Sequence, residues 1–199
     1  MGFTGPPGAG KSSLLREVIR RLRSQGDTAA LVACDPVSPV TGGSFLGDRC
    51  RLASLSDDPG IFIRSVAHRS PPGELPPEAL RAAEVLEAAG FPWIFMETVG
   101  SGQADVDGLR GADLRVLIHP PDAGDGMQML KAGAIETADL HAVNKCDRPG
   151  AAVFARELQM SLAPAGGAAG APVFEVSALT GQGVDALVAE LRRRKERLP

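Results

Sequence analysis

The chain has 199 residues and a formal net charge of -3, with 24 acidic and 21 basic side chains. This slightly acidic balance does not suit a nucleic-acid surface or an anionic membrane, so we expect neither as a partner. No run of about 18 apolar residues occurs, and the N-terminus lacks a basic segment followed by an apolar stretch, so we predict a cytoplasmic protein. The length suits one domain, predicted over residues 1–199.

Short apolar runs alternate with helical patterns along the chain. This alternation is typical of the α/β class, a doubly wound and mostly parallel sheet with helices on both faces. Apolar periodicity and glycine stops predict three helices, at residues 11–25, 76–90 and 184–198. The predicted strands, in chain order, are residues 1–4, 28–34, 60–66, 93–98, 114–119, 140–145 and 172–177.

Residues 5–12, GPPGAGKS, match the phosphate-binding pattern G-x-x-x-x-G-K-[ST] between a predicted strand and a predicted helix. Gly8 and Gly10 allow the loop to turn backbone N–H groups toward a phosphate. Lys11 is expected to place its ammonium group on the β- and γ-phosphates, and the Ser12 hydroxyl to bind Mg²⁺. We therefore predict a P-loop NTPase, with phosphate contacts from Gly8, Ala9, Gly10, Lys11, Ser12 and Ser13.

A second motif indicates which base is bound. Residues 144–147, NKCD, end a predicted strand and match N-K-x-D. Guanine presents an N1–H group and an amine side by side, and the Asp147 carboxylate can accept from both. The stem of Lys145 is predicted to lie on the base plane, and Asn144 to belong to the same nucleotide site. Ser177, Ala178 and Leu179 end the next strand and can offer a backbone N–H to the guanine carbonyl, so GTP is preferred over ATP.

Acidic residues near the strand ends predict a magnesium site and a switch. Asp35 lies at the tip of the second strand, and Asp48 is a second candidate for which a solvated loop acid is the alternative. Glu97 is long enough to reach a metal-bound or attacking water, and Gly100 can donate its N–H to the γ-phosphate, as a nucleotide switch requires. The predicted metal ligands are Ser12, Asp35, Asp48 and Glu97, and the predicted catalytic residues are Lys11, Asp48 and Glu97.

Five segments in one order resemble the MeaB and ArgK family of GTPases over about residues 1–147: GPPGAGKSS, DPVSPVTGGSFLGD, ETVGSGQ, DAGDGMQMLKAG and VNKCD. The resemblance implies a GTP- and Mg²⁺-dependent chaperone of adenosylcobalamin-dependent acyl-CoA mutases, which gates cofactor loading and helps to expel damaged cofactor. Its partners would be the substrate-binding and cobalamin-binding subunits of the mutase. The resemblance also places Lys131 in a third switch. Because the family's dimerisation arm does not follow residue 199, we expect a homodimer only in a nucleotide-dependent form.

Two other functions are compatible with parts of this pattern. A nickel-insertion GTPase would need thiolate or imidazole ligands near the switches, whereas Cys34 and Cys50 have no neighbouring His or Cys in the sequence. A P-loop small-molecule kinase would not need N-K-x-D and SAL at two strand ends. Both remain as alternatives to the mutase chaperone.

Overall fold

The computed structural model describes residues 1–36, 55–68, 75–98, 109, 111–121, 134–163 and 170–198. Within these ranges, seven strands form one parallel sheet in the order β3-β2-β4-β1-β5-β6-β7. The strands are β1 (Gly2–Thr4), β2 (Ala29–Pro36), β3 (Ile61–His68), β4 (Trp93–Glu97), β5 (Arg115–His119), β6 (Leu140–Val143) and β7 (Val173–Glu175). The helices are α1 (Lys11–Ser24), α2 (Pro77–Ala88), α3 (Ala151–Ser161) and α4 (Val184–Lys195), and a 3₁₀ turn spans Ala134–Thr137.

The first strand lies in the middle of the sheet. Gly2 of β1 pairs with Met96 of β4 on one side and with Arg115 of β5 on the other. Because all neighbouring strands are parallel, the segments that follow β1, β2, β4 and β6 leave the sheet at the same edge. In open parallel sheets, ligands bind outside this carboxyl edge, where the strand order changes direction. The topology therefore gathers the predicted motifs at one edge.

Helices cover both faces of the sheet, as the α/β class requires. Along β2, Leu31 packs in the apolar cluster that contains α1 and α4, while Val32 packs in the cluster that contains α2. On β5, Val116 and Ile118 join the α1 and α4 cluster, and Leu117 packs with α3 on the other face. Phe3 and Phe95 meet edge to face at the centre, with ring centroids 5.7 Å apart. The predicted fold class is confirmed.

Several predicted elements differ from the structure in their bounds. The strand predicted over 172–177, for example, spans only Val173–Glu175. The strand predicted over 140–145 ends at Val143, because Lys145 has a φ of 62°, which no strand accommodates. Helix α3 was not predicted, although Ala151, Phe154, Ala155 and Leu158 follow helical spacing and are buried. The described strands belong to one sheet, and the single domain over 1–199 stays a prediction. In the described ranges, no helix has the length and apolar character that a membrane crossing needs.

A buried pair of histidines lies beneath the carboxyl edge of β5 and β6. His119 Nε2 and His141 Nδ1 are 3.0 Å apart and form one hydrogen bond. Both side chains are completely buried, and the His119 ring lies against Phe154 of α3, with centroids 5.8 Å apart. Burial lowers the pKa of His119 to about 3, with a contribution from His141, and lowers the pKa of His141 to about 4, partly offset by the backbone of Ile135. The folded protein therefore holds both rings neutral.

These shifts predict that the protein loses stability when the pH falls below 6.5, the ordinary histidine value. As the pH falls below 6.5, both histidines take up a proton in the unfolded chain but not in the folded chain. Each ring therefore lowers the unfolding free energy until the pH reaches the pKa of that ring in the folded protein. Between about pH 6 and pH 5 the two rings together should lower it by roughly 2 kcal/mol. Urea unfolding at several pH values measures this loss.

The double variant His119→Leu/His141→Leu is the control, since it replaces both hydrogen-bonding partners with apolar groups. Its unfolding free energy should change much less over the same interval. The carboxylates with lowered pKa titrate at lower pH, because their ordinary values are 3.8 for Asp58 and Asp147 and 4.5 for Glu190. An equal acid loss in both proteins would contradict the assignment to this pair.

Candidate nucleotide-binding site

The glycine-rich loop between β1 and α1 has the backbone conformation that phosphate binding needs. Gly8 and Gly10 have φ angles of 76° and 87°, in the left-handed region that glycine adopts without strain. Helix α1 begins at Lys11, directly after the loop, so the N–H groups of its first turn face the loop. Lys11 Nζ donates to the carbonyl oxygens of Gly5 at 2.9 Å and Pro6 at 3.3 Å. An ammonium group and helix N–H groups therefore converge on one short loop.

Three of the four predicted metal ligands lie in the described residues. The Ser12 hydroxyl donates to Glu97 Oε1 at 2.6 Å, which joins the start of α1 to the end of β4. Asp35 is the penultimate residue of the neighbouring strand β2 and is 3% exposed, and Glu97 is 8% exposed. Burial raises the pKa of the Cys34 thiol to about 12, with smaller contributions from the Asp35 and Glu97 carboxylates. One hydroxyl and two carboxylates at one strand edge are the hard oxygen donors that Mg²⁺ prefers.

Asn144 connects the glycine-rich loop to the segments that are predicted to bind the base. Its side-chain amide Nδ2 donates to the Ala9 carbonyl oxygen at 2.8 Å, and its Oδ1 accepts from the Ala178 amide at 3.0 Å. A Cβ atom at Gly10 would lie 2.5 Å from Asn144 Nδ2, so only glycine fits this position. The Asn144 side chain thus holds three segments, distant in the sequence, at fixed separations.

Lys145 makes a second connection to the phosphate loop. Its Nζ donates to the Gly8 carbonyl oxygen at 2.7 Å, and its backbone is left-handed, with a φ of 62°. The side chain therefore runs from the base-binding segment to the loop. This path is compatible with the prediction that its stem lies on the base plane.

The predicted base reader, Asp147, is held by a neighbour that the sequence reasoning did not assign to it. The Ser177 hydroxyl donates to Asp147 Oδ1 at 2.5 Å. That hydrogen bond is the main cause that lowers the pKa of the Asp147 carboxyl, which therefore stays ionised at neutral pH. Asp147 is exposed, so its carboxylate is accessible to the N–H groups of a base. The sequence signal for this contact was the serine that follows the neighbouring strand, Ser177.

Two of the three backbone amides in the SAL segment, residues 177–179, donate hydrogen bonds within the protein. The Ser177 amide donates to Gln182 O at 2.9 Å, and the Ala178 amide donates to Asn144. Of the three, only the Leu179 amide has no hydrogen-bond partner among the described residues. The Leu179 side chain is 86% exposed beside it. The base contact predicted for this segment therefore falls most readily on the Leu179 amide.

The structure brings most of the predicted site residues to one edge. Gly8, Ala9, Gly10, Lys11, Ser12 and Ser13 form the loop and the first turn of α1. Asn144, Lys145 and Asp147 follow β6, and Ser177 to Leu179 follow β7. Asp48, Gly100 and Lys131 lie outside the described residues, so their predicted roles stay predictions.

Comparisons with known proteins agree with this arrangement. The family model described as methylmalonyl-CoA mutase-associated GTPase MeaB matches residues 1–199. A protein of Pyrococcus horikoshii that is named a GTPase is 43% identical over 98% of this chain and 63% of its own length. The mouse mitochondrial methylmalonic aciduria type A homolog is 38% identical over 74% of this chain and 35% of its own length. The chain thus spans less than two thirds of either relative.

Two solved structures share the fold. The crystal structure of a LAO/AO transport system kinase superposes with a TM-score of 0.71 at 26% identity. The match covers 98% of this chain and 58% of the kinase chain. The nickel complex of HypB from Helicobacter pylori superposes with a TM-score of 0.73 at 17% identity. The match covers 98% of this chain and 86% of the HypB chain. At that identity, the second similarity shows the fold alone.

Proposed function

The chain belongs to the MeaB family of methylmalonyl-CoA mutase-associated GTPases, and on that premise we propose that it binds GTP and hydrolyses it to GDP and phosphate. The observation that carries the proposal is the junction at Asn144. One side chain connects the phosphate loop, through Ala9, to the segment after β7, through Ala178. The Asp147 carboxylate stands beside this junction, anchored by Ser177. A phosphate-binding loop and a guanine-reading carboxylate are therefore held at a fixed separation.

In this proposal, each group of described residues has a separate role in GTP hydrolysis. The Lys11 ammonium group and the first turn of α1 counter the negative charge of the phosphates. Ser12, Asp35 and Glu97 would hold Mg²⁺, which supplies charge neutralisation at the phosphate oxygens when it is bound. The Glu97 carboxylate, which accepts from the Ser12 hydroxyl, would accept a hydrogen bond from a water beside the phosphates. Lys145 and Asp147 hold the base, so that the nucleotide has one orientation.

We further propose that the nucleotide state regulates an adenosylcobalamin-dependent acyl-CoA mutase. The family description links these GTPases to methylmalonyl-CoA mutase, and the mouse relative carries the name of methylmalonic aciduria. In this proposal the chain acts in the cytoplasm, contacts the substrate-binding and cobalamin-binding subunits, and couples GTP binding and hydrolysis to cofactor loading and protection. A homodimer would form only with nucleotide.

The mutase proposal predicts that complex formation depends on the nucleotide. A ligand shifts a binding equilibrium by its coupling free energy, which typically changes affinity by about 5–150-fold. The affinity of the chain for a mutase should therefore differ roughly tenfold between a non-hydrolysable GTP analogue and GDP. Analytical ultracentrifugation of both mixtures measures the difference, and ATP analogues at equal concentration are the control. Equal affinities in all nucleotide states would contradict the regulatory role but leave GTP hydrolysis standing.

The nickel-insertion alternative finds no supporting observation in the described residues. Among them, no group of three or more His, Cys, Asp and Glu side chains is arranged to hold a metal ion. The pKa of Cys34 is raised to about 12, mainly by burial, which disfavours the thiolate that metals bind. The kinase alternative does not account for the connection from Asn144 and Lys145 to the phosphate loop. The GTPase proposal uses all of these contacts.

A further inference from the structure

Two buried threonines join the end of β4 to the start of the phosphate loop. Thr98 Oγ1 donates to Thr4 Oγ1 at 2.8 Å, and the two residues are 7% and 0% exposed. The Thr98 amide also donates to Phe3 O at 3.1 Å. This pairing continues the parallel register of the two strands, in which Phe3 pairs with Glu97. Backbone and side chain therefore both fix the position of Thr98 against β1.

The location of this pair connects it to the proposed chemistry. Thr4 directly precedes Gly5, whose carbonyl oxygen accepts from Lys11. Thr98 directly follows Glu97, whose carboxylate accepts from Ser12. The end of β4 is thus attached to the phosphate-loop region twice, once before the loop and once after it. Two attachments fix a direction as well as a position, which one hydrogen bond cannot do.

We propose that Thr4 and Thr98 are a positioning pair for the Glu97 carboxylate in GTP hydrolysis. The inference rests on the proposed function and deepens it. Neither hydroxyl needs to touch the nucleotide: their hydrogen bond holds the peptide that follows Glu97, and so restricts the directions in which that side chain can leave the strand. A displacement of about 1 Å at a reacting group can change a rate by roughly 100-fold. A loss of the pair should therefore affect hydrolysis more than nucleotide binding.

The test compares Thr98→Val, which keeps the branched shape and removes the hydroxyl, with Thr98→Ser, which keeps the hydroxyl. We expect Thr98→Val to lower the single-turnover rate of GTP hydrolysis by roughly tenfold or more, with the GDP affinity within about twofold of the wild type. Thr98→Ser should recover most of the rate. In the nucleotide-free protein, the Thr98 amide should exchange with solvent faster in Thr4→Val than in the wild type, because the connection to β1 is weakened.

The double variant Thr4→Val/Thr98→Val protects the test against misfolding, since it leaves no buried hydroxyl without a partner. Its rate should fall about as far as that of Thr98→Val alone, because the two hydroxyls act through one hydrogen bond. A double variant with the wild-type rate, or a GDP affinity that falls in parallel with the rate, would overturn the inference alone. A wild-type protein that binds GTP without hydrolysing it would overturn the proposed function, and this inference with it.

Discussion

The variant Asp147→Asn is expected to exchange a preference for guanine for a preference for xanthine. In the proposed site the carboxylate would accept from the guanine N1–H and the guanine amine, whereas an asparagine amide would present an N–H donor to the amine, which is also a donor. Xanthine has a carbonyl oxygen at the same carbon, and that oxygen can accept from the new amide. Because the Ser177 hydroxyl holds the side chain at 2.5 Å, the amide should occupy the place of the carboxylate.

The expected effect is large, since a site built around such hydrogen bonds can reject the wrong analogue by roughly 10⁴-fold. Competitive displacement of a fluorescent guanine nucleotide by GTP, ATP and XTP, for both proteins, measures the exchange. Asp58→Asn is a matched control. It makes the same change at a half-buried carboxylate whose pKa is also lowered, but which pairs with Arg23. If Asp147→Asn keeps the wild-type margin for GTP over XTP, Asp147 does not read the base.

The second large effect is expected from Gly10→Ala, which should weaken binding of every nucleotide whatever its base. A Cβ atom at this position would meet Asn144 Nδ2 at 2.5 Å, and the φ of 87° is strained for alanine. Asn144 would have to move, and its hydrogen bonds to Ala9 and Ala178 would be lost or lengthened. If the displaced loop loses two charge-assisted hydrogen bonds to phosphate, each about 1.5–3 kcal/mol, affinity falls roughly 100-fold or more.

Gly26→Ala separates backbone strain from the collision with Asn144. Gly26 has a φ of 90°, close to that of Gly10, but a Cβ atom there meets nothing within 4 Å. Both variants should lower the melting temperature through strain, Gly10→Ala to a greater extent because it also disturbs the Asn144 hydrogen bonds. Only Gly10→Ala should lower nucleotide affinity. Isothermal titration with GTP and GDP, with thermal unfolding of the same samples, makes the comparison. Equal affinity losses in the two variants would show that the Asn144 contact is not the cause.

The chemistry of individual segments was predictable from the sequence because each motif acts largely through its own backbone. The spacing of Gly8, Gly10 and Lys11 predicts a phosphate loop, and the structure has left-handed glycines there, directly before a helix. Alternating apolar runs predicted a parallel sheet, and parallel pairing predicted that motifs at strand ends would meet at one edge. Helix α3 could also have been predicted, since Ala151, Phe154, Ala155 and Leu158 show the spacing of a buried helix face.

The side-chain contacts across the site were not predictable in this way. Asn144 and Ala9 are 135 positions apart, Thr98 and Thr4 are 94 apart, and Ser177 and Asp147 are 30 apart. Such partners are determined by the order and register of strands in the sheet, which local periodicity does not specify. The sequence by itself therefore determined the fold class and which residue types meet at the proposed nucleotide site. Only the tertiary structure decided that Asn144 holds the loops together, that Ser177 anchors Asp147, and that two buried threonines lie behind Glu97, because each of these contacts exists only after β1, β4, β6 and β7 are aligned.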